Sequence, residues 1–153
     1  MTGLDRPDTL NQQEPIAVIG MGCRLPGGVE SSDDFWDLLV EGRDVIGEIP
    51  PERWDPQRHH DPDPRRPLHQ HVRRAGLVEG IDRFDPGFFG ISGREAQCMD
   101  PQQRLLLEVC WRAIEGAGQP IEQLRGRPVG VFMGISSADY SALLWASEAQ
   151  YLS

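Results

Sequence analysis

The chain has 153 residues, 24 acidic and 15 basic, for a formal net charge of −9. That balance argues against a nucleic-acid groove, which needs a basic face, and against adsorption to anionic lipid. Leu, Ile, Val and Phe together make up 37 of the 153 residues, above the roughly 20% share below which chains tend to stay disordered, so one domain with a core is expected.

All 15 basic residues are arginine. Schiff-base lysine chemistry and a P-loop lysine are therefore excluded within this stretch. Apolar runs are only a few residues long, so no membrane-spanning helix is expected. Met1 to Gln13 is polar and lacks an apolar h-region, so no secretory signal is expected. Cys23, Cys98 and Cys110 are odd in number, widely spaced and without a C-x-x-C pair. Neither a disulfide framework nor a zinc site fits that pattern, and a reduced cytoplasmic protein is the expectation.

Residues 1–13 read as a solvated lead-in, with order expected from Pro15. Ile16-Ala17-Val18-Ile19, closed by Gly20-Met21-Gly22, predicts a strand buried on both faces, as in a parallel sheet. Ser31 followed by Asp33 and Asp34 predicts a helix start, and Gly42 its end. Phe35, Leu38 and Leu39 give that helix an apolar face. From Ile49 to Pro67 prolines crowd together, which forbids a regular helix or central strand. An irregular surface excursion is expected there. Phe84-Asp85-Pro86-Gly87-Phe88-Phe89-Gly90 predicts a turn whose three rings pin the excursion to the core. A short helix through Glu95 and Ala96 follows.

Asp100-Pro101-Gln102-Gln103 is the strongest local signal. Aspartate caps, proline suits the first helical position, and Gln103 completes a capping box. Leu106, Val109, Cys110, Ala113, Ile114 and Ala117 then fall on one face, with Leu107 and Trp111 widening it. So broad an apolar arc predicts a largely buried helix, ended by Gly116 and Gly118. Val129 to Gly134 predicts a second buried strand whose glycines allow close backbone approach. Ser141 to Ser153 is mildly amphipathic.

Several constellations invite a catalytic reading and do not support it. Gly20-Met21-Gly22 follows a strand, but Leu25 stands where a dinucleotide fingerprint needs its third glycine, and no helix starts there. Gly134-Ile135-Ser136-Ser137 resembles a nucleophile elbow, yet all four histidines (His59, His60, His69, His71) precede the serines, the reverse of the hydrolase order. Those histidines lack the i, i+4 spacing of a helical metal site, and Asp61 and Asp63 add no rigid frame. Cys110 lies on the apolar stripe and Cys23 follows a strand, so both read as packing. Cys98 precedes a helix start with Arg94 nearby and is only slightly the better candidate nucleophile.

A longer set of motifs, taken in order, resembles one family. These are Glu14 to Gly28, Phe35-Trp36-Asp37-Leu38-Leu39 with Gly42-Arg43-Asp44, and Pro50 with Arg53-Trp54. Phe84-Asp85-Pro86, Phe88 to Ser92, Arg94-Glu95-Ala96, Met99 to Glu108 and Val129 to Gly134 complete the set. Together, residues 14–153 resemble the N-terminal part of a β-ketoacyl synthase, the ketosynthase domain of modular type I polyketide synthases. Gly93 and Cys110 depart from the family's usual proline and small residue, and His69 to Val78 matches only loosely.

The resemblance implies an α/β architecture, the truncated N-terminal part of a thiolase-like fold of layered helix and sheet (α/β/α/β/α). It implies decarboxylative Claisen condensation, in which an acyl chain passes from a carrier protein's phosphopantetheine to an active-site cysteine. A malonyl-type extender on acyl carrier protein then attacks it. The family's nucleophile lies in an Asp-Thr-Ala-Cys-Ser-Ser type motif and works with two histidines. None of the three cysteines or four histidines here occupies those positions, so no catalytic residue carries over and the chain alone is expected to be inactive.

The loop Ile135-Ser136-Ser137 corresponds to one that borders the acyl pocket in related synthases. Its other reading is an ordinary strand-to-helix loop. No cofactor is expected to bind directly. Acyl carrier protein and neighbouring synthase domains are the implied partners, with a homodimer for the complete domain and no nucleic acid or membrane. Arg65, Arg66, Arg73 and Arg74 form the only dense basic cluster, which could dock an acidic carrier protein. A non-catalytic docking fragment is thus the alternative, and a solvated charge run is the plainer reading of those arginines. Two buried-type strands need neighbours on both edges, so marginal folding in isolation is expected.

Overall fold

A computed structural model describes residues 15–54, 63, 65, 73–137 and 139–151. The polar lead-in, all four histidines, Arg66 and most of the proline-rich excursion lie outside the described residues.

Helix α1 spans Ser32–Glu41. The Ser31 hydroxyl accepts the Asp34 N–H at 3.1 Å, and the Asp34 carboxylate in turn accepts the Glu30 N–H at 3.1 Å. This reciprocal cap satisfies donors that the first turn leaves free. Gly42 ends the helix at φ 61°. Its N–H donates to Leu39 O and the Arg43 N–H donates to Leu38 O, each at 3.2 Å. A left-handed residue is required for that closure, and glycine takes it without strain.

Strands β1 (Gly47–Glu48) and β2 (Arg74–Ala75) pair antiparallel, with Gly47 opposite Ala75 and Glu48 opposite Arg74. The Ile49 N–H extends the ladder to Arg73 O at 2.9 Å. The ends of the proline-rich excursion are therefore stitched together. Two-residue strands carry no alternation, so sequence periodicity cannot announce them.

Helix α2 (Gly93–Cys98) is capped by Ser92, whose hydroxyl accepts the Glu95 N–H at 3.2 Å. Helix α3 runs Pro101–Gly116, with Pro101 in its first turn and Asp100 Oδ1 accepting the Gln102 N–H at 2.8 Å. The expected capping box with Gln103 does not form. Instead, the Gln102 side-chain amide donates to Asp100 Oδ2 at 3.2 Å and braces the capping carboxylate. Gly118 lies at φ 64° just past the helix. Two further helices, α4 (Ile121–Leu124) and α5 (Asp139–Tyr151), complete the order.

The glycines at 20 and 22 have a packing reason. A Cβ on Gly20 would fall 2.1 Å from Ala113 O, and one on Gly22 would fall 2.5 Å from Val109 O. This segment runs directly against the backbone of α3, which only glycine permits. On another face of α3, Phe88 meets Trp111 edge to face at 4.7 Å, and Phe84 stacks on Phe89 at 5.3 Å. The 84–90 turn is thus held on α3 by its rings, as the sequence predicts.

Two expectations are overturned. Neither Ile16–Ile19 nor Val129–Gly134 forms a ladder among the described residues, and both carry exposed apolar side chains, with Ile16 97% and Phe132 96% exposed. The physical reason is the absence of paired edges. A strand's main-chain donors and acceptors need a neighbour, and these described segments have none. Helix α3 likewise is half-buried rather than fully covered. Among the described residues only Val29 and Ala96 are buried.

Candidate functional site

The loop Ile135-Ser136-Ser137 leaves the apolar 129–134 segment and leads toward α5. All three residues are exposed. The Ser136 and Ser137 hydroxyls engage none of the described residues, while the Ser137 carbonyl accepts from the Gln102 side-chain amide at 3.5 Å. On the far side of the loop, the Tyr140 hydroxyl donates to Gln97 O at 2.7 Å. The Arg104 guanidinium sits 5.9 Å from the centre of the Tyr140 ring. Just before the loop, Met133 Sδ lies 4.0 Å from Cys110 Sγ. The loop therefore rests on the N-terminal half of α3.

The arginine cluster is only partly described. Arg65 is highly exposed and paired with Asp63 at 3.0 Å, and that partner holds its guanidinium above its ordinary pKa. Arg74 lies in β2, 3.6 Å from Asp44, and donates to Ile46 O. Arg73 is exposed, and its guanidinium pairs with none of the described residues. Arg66 lies outside the described residues.

Sequence reading missed the shortest ion pair among the described residues. Arg24 Nη1 pairs with Glu108 Oε2 at 2.6 Å, and Arg24 Nη2 donates to Glu79 O at 2.8 Å and Gly80 O at 3.4 Å. These partners lie 84, 55 and 56 residues away, so no local pattern signals them. Arg112 makes a looser junction with Glu30 at 3.0 Å. Both ion pairs border a cleft of about 590 Å³ walled by Phe88 and Trp111. A larger cleft, about 730 Å³, lies between the β1–β2 pair and residues 77–82.

Reactive side chains are not assembled into a catalytic set among the described residues. Cys98 is exposed at the end of α2, and Cys23 and Cys110 are half-buried, all three free. No group of three or more His, Cys, Asp or Glu is gathered to hold a metal among the described residues. No described helix is long and apolar enough to cross a membrane. Among the described residues, the one carboxylate shifted from its ordinary value is Asp34, held below it by the Ser31 hydroxyl and the Glu30 N–H. That shift belongs to the α1 cap.

Comparison with known proteins gives this geometry its context. Residues 13–152 match the model of the β-ketoacyl synthase N-terminal domain. The chain is 50% identical over 128 residues to a phenolphthiocerol/phthiocerol polyketide synthase subunit of Mycobacterium tuberculosis, covering 84% of this chain and 7% of that protein. It is 51% identical over 135 residues to the spectinabilin polyketide synthase protein NorC of Streptomyces orinoci, covering 88% and 6%. Among solved structures, it resembles the ketosynthase from module 6 of the Bacillus subtilis bacillaene synthase. The TM-score is 0.76 at 37% identity, over 84% of this chain and 22% of that one. An oxazolomycin ketosynthase domain from Streptomyces albus gives a TM-score of 0.65 at 37% identity, over 70% and 18%. The fold is accordingly the N-terminal part of the thiolase-like ketosynthase architecture, and the chain spans a small share of the length of every relative named. The chain belongs to the β-ketoacyl synthase family, matching its N-terminal domain along residues 13–152.

Proposed function

We propose that this stretch serves as the opening scaffold of a polyketide-synthase ketosynthase. The whole enzyme's reaction is decarboxylative Claisen condensation of an acyl thioester with a malonyl-type extender. The family match across residues 13–152 carries this reading. In it, acyl carrier protein delivers both substrates on phosphopantetheine, and the complete domain works as a cytoplasmic homodimer. The loop Ile135-Ser136-Ser137 borders the acyl pocket. Its exposed side chains support that reading, because uncommitted groups are free to meet a ligand.

The stretch itself supplies scaffold and no nucleophile. Acyl-enzyme formation needs an activated cysteine with a base beside it, and Cys23, Cys98 and Cys110 do not stand in the family's Asp-Thr-Ala-Cys type motif. The test is incubation of the chain with an acyl-pantetheine thioester and malonyl-carrier protein, followed by intact mass and product analysis. No acyl-cysteine and no condensed product are expected. A condensed product would overturn the scaffold reading.

A second reading is a docking face for an acidic carrier protein at Arg65, Arg66, Arg73 and Arg74. The exposed Arg73, unpaired among the described residues, favours it. The local pairing of Arg65 with Asp63 and of Arg74 with Asp44 weighs against it. Salt-sensitive carrier binding that is lost on Arg73→Ala with Arg74→Ala would support docking. Binding that is absent, or unaffected by both changes, would rule it out.

A further inference from the structure

The exposed side chains of 135–137 contrast with the backbone contacts at both sides of that loop. Gln102 stands in the first turn of α3. Its side-chain nitrogen carries two N–H donors, one directed to Asp100 Oδ2 at 3.2 Å and the other to Ser137 O at 3.5 Å. One side chain thereby links the helix cap to the loop. Three residues past Ser137, the Tyr140 hydroxyl donates to Gln97 O at 2.7 Å, near the end of α2. The Tyr140 ring lies beneath the Arg104 guanidinium, a favourable arrangement of cation and aromatic face. Neither anchor uses a side chain of Ile135, Ser136 or Ser137.

We propose that Gln102 and Tyr140 are positioning residues that fix the backbone of 135–137 and leave its side chains free to face an acyl chain. The proposal rests on the reading of this loop as a border of the acyl pocket. Gln102 holds the loop to α3, and Tyr140, from α5, holds it to Gln97 on α2, so α2 and α3 set the loop's position jointly. A loop tied at its carbonyl on one side and at the following helix on the other keeps one conformation without filling the space its side chains offer.

Backbone order parameters from nitrogen-15 relaxation on the whole 153-residue chain test the tether without any ligand. Tyr140→Phe keeps the ring over Arg104 and removes only the hydroxyl donor. Gln102→Ala removes the link to Ser137 O. Each is expected to lower the order parameters at 135–137 from the rigid range of about 0.85 toward the flexible range below about 0.6. Those in α1 should stay unchanged, which a general loss of structure would not allow. An equal fall in α1, no change in either variant, or a wild-type loop already in the flexible range would each overturn the proposal.

A photoreactive acyl-pantetheine then tests the pocket reading separately. Labelling of 135–137 that falls in Tyr140→Phe supports positioning. Labelling of 135–137 that is equal in both chains overturns the positioning role. Labelling confined to other segments, or absent, overturns the pocket reading itself.

Discussion

Arg24 and Glu108 meet at 2.6 Å, with side chains only 13% and 23% exposed. Arg24 follows the glycine segment that lies on α3, and Glu108 sits in the middle of α3. The same guanidinium holds the carbonyls of Glu79 and Gly80. Three stretches distant in sequence are thus tied at one side chain. A partly buried cation with several acceptors is stabilised by charge-assisted hydrogen bonds, and removing one partner leaves it underpaired.

Glu108→Gln is therefore expected to loosen this junction by roughly 1.5–3 kcal/mol, the range for a hydrogen bond to a charged group. Residue-resolved exchange of the Arg83 N–H, which donates to Gly80 O at 3.0 Å, and in the middle of α3 should show the change. Protection in α1, which shares no hydrogen bond with Arg24, should not move. Unchanged protection at Arg83 would mean that Arg24 does not depend on Glu108.

Gly20→Ala tests the close approach of the 20–22 segment to α3. The added Cβ would lie 2.1 Å from Ala113 O, a main-chain atom that cannot swing aside. Overpacking of this kind costs about 1–3 kcal/mol. The expected result is faster exchange around Ala113 with α1 unaffected. Gly28→Ala serves as a contrast, since no atom lies within 4 Å of its Cβ position. That variant carries only the strain of its φ of 75° and should leave α3 unperturbed.

The α1 cap links a hydrogen bond to a titration. Asp34 lies below its ordinary value of 3.8, with the Ser31 hydroxyl as the first cause. A lowered folded-state pKa means that the cap is fully supported above the unfolded value and is lost as pH falls through the folded one. An NMR titration of the Asp34 carboxyl carbon should show a midpoint below 3.8 in the wild type. Ser31→Ala should move it upward and destabilise the α1 start by about 1 kcal/mol. A midpoint that stays put in Ser31→Ala would remove Ser31 as the cause.

Local chemistry made the helices readable. Ser31 and Gly42 bound α1, and Asp100 with Pro101 starts α3, because capping is decided by residues within one turn. The aromatic turn at 84–90 was legible for a similar reason, as three rings in six residues must find cover. The strands were misread because burial is a property of the partner as well as of the segment. Ile16–Ile19 and Val129–Gly134 have the composition of buried strands, yet the described residues bring no edge to pair with them. The candidate site divides in the same way. Ile135, Ser136 and Ser137 are singled out only by the resemblance to the family. Gln102, Tyr140 and Arg24 are not singled out, because each acts on a residue 35 or more positions distant.

Ile16–Ile19 and Val129–Gly134 leave their backbone edges unpaired among the described residues, so the chain is expected not to close a cooperative core by itself. Urea unfolding of the purified chain, followed by tryptophan fluorescence and far-UV circular dichroism, tests this most directly. The predicted result is a broad transition whose two probes do not coincide, with a slope well below the range of about 1–3 kcal/mol/M for small folded proteins. A single sharp transition, coincident by both probes and with a slope in that range, would contradict it.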